Sequence, residues 1–292
     1  PTAVNSFFTG KFGTAFPASI MVASTWSKEL AGRFGTCIGN ELCDFGFTGW
    51  YGPGMNIHRN AFSGRNFEYY SEDGYLSGCV AVAEIAAVRK LGIIAYMKHF
   101  VLNDSETDRA RGICTWSTEQ AIREIYLKPF EICVKEGKAK AVMSSFNYIG
   151  TRWAGGSEEL CNTVLRDEWG FQGFVLTDYF GVYGYMNSDQ GIRNGTDAML
   201  VAYDTEINHV KDQNSATGVE AMRQACKNIM YTVVNSRAYD AENLETGLMT
   251  WQIAAIAADV VLGVGILALE IVAIKRFRKR LAEEKAAVAV EN

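Results

Sequence analysis

Short apolar runs alternate with longer helical stretches over roughly the first 250 residues of this 292-residue chain, and that alternation constrains the fold more than any other feature. The runs are "MNIHR" (55–59), "GIIAYMKHF" (92–100), "KAVMSSF" (140–146), "GFVLTD" (173–178) and "DAMLV" (197–201). Their β-branched and aromatic residues suit a pleated, covered surface, so each reads as a strand. Residues 27–46, 75–91, 117–136, 157–169 and 218–237 read as helices. The segment at 117–136 opens on Ser117 as a cap, with Glu119, Gln120 and Glu124 in or near its first turns, as a helix N-terminus prefers. Strands alternating with helices predict an α/β fold around a parallel sheet, either doubly wound or closed as a (β/α)₈ barrel. The hydrophobic content of 48% is enough to cover such a sheet.

Composition also excludes some function classes. A net charge of −5 argues against a general nucleic-acid binder, which needs a basic face to neutralise phosphates. The seven cysteines have neither CxxC nor zinc-type spacing and read as mostly free, buried thiols. His58, His99 and His209 are too dispersed for a local metal motif, so neither a metal nor another cofactor is expected. A chain opening on Pro1 with no signal peptide is expected to be a fragment or a processed product.

Near residue 250 the pattern changes. Residues 250–274, "TWQIAAIAADVVLGVGILALEIVAI", are apolar over the ~20 residues needed to cross a bilayer. Trp251 stands at one edge and "KRFRKR" (275–280) at the other, as interfacial aromatics and cytoplasmic basic residues do. Asp259 and Glu270 lie on roughly the same helical face and leave a buried amphipathic helix as the competing reading. A carboxylate at the centre of a membrane helix costs roughly 2.5–3.5 kcal/mol, which the surrounding leucine, isoleucine and valine outweigh. The expectation is a single-pass membrane helix at 250–274, a cytoplasmic tail at 275–292 that is basic and then mixed, and residues 1–249 outside the cell. Residues 236–249 would be the linker.

Charged groups collect where the predicted strands give out. Lys98 and His99 end one run, Asp178 ends another, and Arg65 follows the first. In α/β barrels and open α/β sheets, ligand sites form at the carboxyl ends of strands. Each residue also has a purely structural reading. Asp178 would serve as a turn residue or cap, Arg65 would pair with Glu68 or Glu72, and Lys98–His99 would be a solvated strand end. Their joint occurrence favours a site.

Four blocks, in order, resemble the catalytic barrel of glycoside hydrolase family 3. They are "GPGMNIHRNAFSGRNFEYYSEDGYLSG" (52–78), "MKHFVLNDSETDR" (97–109), "AVMSSFNYIG" (141–150) and "GFVLTDYFG" (173–181). "GRNFEYYSED" is the most specific and resembles the β-glucosidase-like branch, and "GTAFPASIMVASTWSKEL" (13–30) is similar to the family's early barrel segment. The resemblance spans roughly residues 1–235. It implies a retaining β-glycosidase that uses no cofactor, with Asp178 as nucleophile. Arg65, Lys98 and His99 would hydrogen-bond the sugar's hydroxyls and keep Asp178 ionised, and Met143 would line the same pocket.

The same resemblance exposes departures. Phe146 stands where the family usually has tyrosine, Tyr179 where tryptophan commonly follows the nucleophile, and Asn5 at an arginine position. An aspartate that clamps the sugar would fall before Pro1, so an N-terminally incomplete barrel is expected. The family's acid/base glutamate sits on a sandwich domain with no counterpart here; Glu68, Glu72 and Glu106 read as structural ion-pair residues. An upstream sandwich domain of the same full-length protein is therefore the expected partner, alongside the carbohydrate and the membrane. The alternative is a catalytically impaired surface sugar-binding protein on the same barrel.

Overall fold

The computed structural model describes residues 13–180, 184–201, 209–240 and 250–290; Asn5 lies outside them. The chain divides into two compact units, Pro1–Asn243 and Leu244–Asn292.

Among the described residues the first unit carries eight strands. They are β1 Gly49–Trp50, β2 Ile94–Phe100, β3 Cys114–Thr115, β4 Ala141–Ser144, β5 Tyr148–Ile149, β6 Arg152–Trp153, β7 Phe174–Tyr179 and β8 Ala198–Leu200. Five of them form one parallel sheet in the order β1-β2-β4-β7-β8. Lys28–Asp44 (α1) precedes β1, and α2 Gly74–Lys90, α3 Lys128–Lys135, a π-helical stretch Glu159–Glu168 and α4 Ser188–Arg193 make the crossovers between successive strands. After β8 comes α5, Ala216–Val234. A doubly wound sheet would reverse its strand order at a switch point. Here spatial order follows chain order throughout, which is how a barrel wall curls. Among the described residues the wall has five strands rather than eight, so the fold is a curled half-barrel.

Two apolar layers follow from the period-2 alternation of the strands. Ile94, Ala141, Met143, Phe174 and Leu176 form one cluster, joined by Tyr96, Ala198, Leu200 and Ile229. A larger cluster packs the other face against the helices, with Val80, Ile85, Val88, Phe130, Val142 and Val175 among its members. The caps are ordinary ones. Ser27 accepts from Leu30 N ahead of α1, and Asp73 accepts from the Tyr75 and Leu76 amides ahead of α2.

Two local expectations fail. Residues 55–59 are not a strand; β1 lies upstream at Gly49–Trp50, too short and too poor in β-branched residues to stand out in sequence. The 53–57 segment instead runs beside β2, with Lys98 N donating to Pro53 O (3.0 Å) and Met55 N to Lys98 O (2.8 Å). The helical stretch expected from Ser117 is capped by Thr118, whose hydroxyl accepts from Ala121 N, and it passes through a π-helical turn at Ile122–Tyr126 before α3.

β3, β5 and β6 make a separate three-stranded sheet beyond the carboxyl ends of β2 and β4. The second unit contains α6, Thr250–Val290, one continuous helix through both the expected span and most of the expected tail. Ile253–Arg280 is long and apolar enough to cross a membrane, and side chains such as Val261, Leu262 and Leu269 are exposed.

Candidate active site

Residues from four segments converge at the carboxyl end of the half-barrel. Arg65 comes from the loop after β1, Lys98 and His99 from the end of β2, Met143 and Phe146 from β4 and the turn after it, and Asp178 and Tyr179 from β7. Strand pairing sets their depth, because Met143 is in register with Leu176 and Phe100 with Ser144. The structure thus places the site residues expected from sequence at the carboxyl ends of the strands and in the connections that follow them.

His99 is the hub. It is buried, and its backbone is held by the Asn56 side chain, which accepts from His99 N (2.8 Å) and donates to His99 O (2.8 Å). That carboxamide supplies the two main-chain hydrogen bonds that an adjacent strand would otherwise make. On the ring, Nε2 lies 3.1 Å from Arg65 Nη2, and Nδ1 lies 3.1 Å from the Tyr69 hydroxyl and 3.3 Å from Asn56 Oδ1. A guanidinium can only donate, so Nε2 accepts and the ring proton belongs on Nδ1. Burial, followed by the positive charges of Lys98, Arg65 and Arg109, holds the His99 pKa well below its ordinary value. The ring is neutral.

Arg65 is steered by two acids. Its Nε donates to Glu68, and Nη1 faces Glu106 Oε1 at 3.5 Å. Glu68 also meets Lys98 Nζ (3.5 Å), while Glu106 holds Arg109 Nη1 at 2.6 Å. Glu68 and Glu106 are thus ion-pair residues, as their motifs suggest; Glu72 is exposed and in no ion pair among the described residues. The guanidinium of Arg109 lies 4.4 Å from the centroid of the Phe146 ring. Cation–π attraction of this kind anchors the Arg109 guanidinium over the Phe146 ring.

Asp178 sits at the centre of this charge. Its side chain is 13% exposed, Oδ1 accepts from Tyr179 N (2.7 Å), and Oδ2 is buried with no hydrogen-bond partner. Burial raises its pKa above the ordinary value, against the Tyr179 amide and the charges of Arg65, Lys98 and Arg109, which pull it down. The expectation that cations alone hold Asp178 ionised is thus only half of the balance. A carboxylate with one oxygen fixed and the other unpartnered can act as a nucleophile, a base or a ligand for a hydroxyl.

Sequence reasoning passed over Asn56, Tyr69, Asn103 and Arg109. Asn103 Nδ2 donates to the Tyr69 hydroxyl (3.1 Å), completing a buried chain from Asn103 through Tyr69 to His99. All four lie inside the quoted motifs, but nothing in their spacing distinguishes them from ordinary loop polar residues. Among the described residues no group of His, Cys, Asp and Glu could hold a metal ion.

Comparison with known proteins gives a consistent picture. Residues 6–233 match the family described as "Glycosyl hydrolase family 3 N terminal domain". Beta-glucosidase A of Butyrivibrio fibrisolvens is 40% identical over 209 residues, which is 70% of this chain and 25% of the relative. A beta-glucosidase of Rhizobium radiobacter is 42% identical over 172 residues, 59% of this chain and 21% of the relative. Among solved structures, beta-glucosidase 3B from Thermotoga neapolitana in complex with glycerol superposes with a TM-score of 0.69 at 37% identity, covering 77% of this chain and 32% of that one. The Bifidobacterium adolescentis beta-glucosidase superposes with a TM-score of 0.72 at 30% identity, over 81% and 34%. The chain therefore spans about a quarter or less of the length of these two curated relatives.

Proposed function

The chain belongs to glycosyl hydrolase family 3, and on that premise we propose that it is the barrel portion of a retaining β-glycosidase of β-glucosidase type. The observation that carries this reading is the environment of Asp178, whose Oδ2 has no hydrogen-bond partner and lies 3.4 Å from His99 Nε2, with the cations Arg65 and Lys98 nearby. Oδ2 attacks the anomeric carbon, the glycosidic C–O bond breaks, and a glycosyl-aspartate ester forms. The departing oxygen needs a proton, and the water that later cleaves the ester must lose one. A second carboxyl group performs both transfers. Glu68 and Glu106 are committed to Arg65, Lys98 and Arg109, which supports an acid/base supplied from outside this chain, on an upstream sandwich domain of the full-length protein.

Arg65 and Lys98 are donors able to bind and orient sugar hydroxyls, and the neutral His99, whose Nε2 accepts from Arg65, holds that guanidinium beside them. Met143 and Phe146 give the pocket apolar walls, and Tyr179 offers a ring beside the nucleophile. Labelling with a 2-deoxy-2-fluoro-β-glucoside tests the assignment. The expected adduct is on the peptide containing "VLTDYFG"; an adduct on another carboxylate overturns it.

The second unit supports a membrane anchor. Ile253–Arg280 meets the length and hydropathy criteria, and the basic residues Lys275, Arg276, Arg278, Lys279 and Arg280 gather at its end. In this reading the half-barrel is extracellular and the C-terminus is cytoplasmic.

A further inference from the structure

The end of the half-barrel opposite Asp178 carries a surface that the chemistry above does not use. There α5 crosses the amino ends of the strands. Thr232 Oγ1 donates to Lys140 O (3.0 Å), just ahead of β4, and Arg237 N donates to Gly92 O (2.9 Å), just ahead of β2. Ala225, Asn228 and Thr232 lie on the buried side of α5. Its outer side is a single exposed stripe, in which Arg223, Lys227, Met230, Tyr231 and Val234 fall within roughly 100° of arc. Lys140 Nζ lies 5.3 Å from the centroid of the Tyr231 ring, which joins the stripe to the start of β4. Burial and then the charge of Arg89 lower the Lys140 pKa, so a further cation is close by. Lys90 ends α2 beside Arg89, and Lys138 stands two residues before Lys140. These six cations are in no ion pair among the described residues, and the exposed acids beside them are Glu136, Glu220 and Asp240. In a chain of net charge −5, this end is locally positive.

We propose that this face, centred on Met230, Tyr231 and Val234, docks onto an anionic phospholipid bilayer surface. The proposal rests on the membrane-anchor reading of residues 250–274. Single exposed apolar side chains are ordinary on a protein surface. These three are adjacent on one helix and are flanked by cations that no acid neutralises, the pattern of an interfacial amphipathic helix. Met230, Tyr231 and Val234 enter the headgroup boundary, while Lys90, Lys138 and Lys227 meet lipid phosphates. Position along the chain agrees with this. α5 is followed by Tyr239, which is 57% exposed, and Asp240 is separated from Thr250 by nine residues. Fully extended, nine residues cover at most roughly 30 Å, so the end of the half-barrel that carries α5 is the one held near the bilayer. A phosphate-bearing surface complements this face in charge, whereas a second copy brings the same cations. Docked in this way, Asp178 at the carboxyl end of β7 faces away from the lipid and toward substrates arriving from water.

Hydroxyl-radical footprinting of the full chain in lipid nanodiscs tests the docking face. Two compositions are compared, phosphatidylcholine alone and an equimolar mixture of phosphatidylcholine and phosphatidylglycerol. Met230 is 64% exposed and reports on the face. Met21, 62% exposed in the short helix Ser19–Ala23, packs beside Asn66–Glu68 in the loop that carries Arg65, and serves as the control at the catalytic end. In the anionic discs oxidation of Met230 should fall several-fold against Met21, and high salt should restore it by screening the cations. The combined variant Lys90→Glu, Lys138→Glu, Lys227→Glu should lose the protection at low salt, with Met21 oxidised as in wild type. The salt arm uses the wild-type chain alone and decides the matter even where the variant fails to fold. Met230 oxidised equally in both kinds of disc, by a chain that co-purifies with them, overturns the docking face and leaves the anchor standing. Equal protection in both overturns the anionic surface as the partner and points to a second copy or another cover. A chain that does not co-purify with the discs overturns the anchor reading itself, and the docking face with it.

Discussion

Nε2 of His99 lies 3.4 Å from Oδ2 of Asp178, yet the two are not an ion pair. The ring is neutral because burial and three nearby cations oppose its protonation, and its Nε2 already accepts from Arg65. Oδ2 accordingly stays without a hydrogen-bond partner. An oxygen left unsatisfied in a buried site costs free energy unless a ligand completes it, so such groups cluster at functional positions. The histidine sets the wall of the site without neutralising its nucleophile.

Asp178→Asn should abolish the covalent step. Turnover of an aryl β-glucoside by the full-length protein is expected to fall by several orders of magnitude, with the melting temperature held or raised, because the variant removes a buried charge. Circular dichroism beside the rate measurement separates lost chemistry from lost folding.

Charge around Asp178 should control the acid limb of activity. Its pKa is already raised by burial, and Arg65, Lys98 and Arg109 restrain that rise. Replacing Lys98 with methionine removes one restraint, so the pH at which kcat/KM rises should move upward. Lys98→Ala should also cost about 1.5–3 kcal/mol of transition-state binding, the scale of a hydrogen bond to a charged group. An acid limb unmoved in Lys98→Met would mean that this cation does not act on the nucleophile.

How far these residues were legible from sequence depends on what each one does. β2, β4, β7 and β8 stood out because each is an apolar run that can only be covered by neighbours, and Asp178, Lys98 and His99 stood out by breaking those runs. β1 did not, since a two-residue strand carries no period. Asn56 and Tyr69 were invisible for a different reason. They act by holding His99 across 43 and 30 positions of chain, and such pairing leaves no local pattern. Among the described residues the wall is a half-barrel of five strands, a number that strand alternation does not report, since alternation gives the type of wall and not its extent.

A second buried acid predicts a pH effect on stability. Glu84 on α2 is 1% exposed, accepts from the Tyr70 hydroxyl (2.7 Å), and has a pKa raised by burial from 4.5 to about 8. A raised carboxyl pKa means that the folded state holds the proton more tightly than the unfolded one. Stability from this group is therefore full below pH 4.5 and is lost as pH rises to about 8. At about 1.4 kcal/mol per pKa unit the loss reaches a few kcal/mol. Glu84→Gln keeps an acceptor for Tyr70 and removes the titration. Its denaturation midpoint should exceed wild type at pH 8.5 and lose that advantage near pH 4; parallel curves for the two proteins would exclude Glu84 as the cause.

The membrane reading is tested by fractionation of cells carrying the full chain. It should sediment with membranes, resist carbonate extraction and require detergent for release. Protease added to intact cells should remove the half-barrel and spare the residues after Lys275. Recovery of the chain in the soluble fraction would rule the anchor out.

The final prediction separates the two halves of the reaction. If the acid/base carboxyl belongs to a domain outside this chain, the half-barrel still holds the nucleophile but can neither protonate a leaving group nor activate water. A dinitrophenyl β-glucoside needs no protonation, because its phenolate leaves unaided. The chain by itself should then release dinitrophenolate in a burst approaching one equivalent per Asp178 and stall as the glycosyl-aspartate ester. An ordinary alkyl or phenyl β-glucoside, whose leaving group does need a proton, should give almost nothing. Azide is a nucleophile that requires no base, so it should restart turnover after the burst and yield β-glucosyl azide, the configuration expected of two successive inversions. Steady hydrolysis of the phenyl glucoside without azide would place a working acid/base among this chain's own carboxyls. Absence of any burst from the dinitrophenyl compound would instead mean that the half-barrel binds sugars without attacking them.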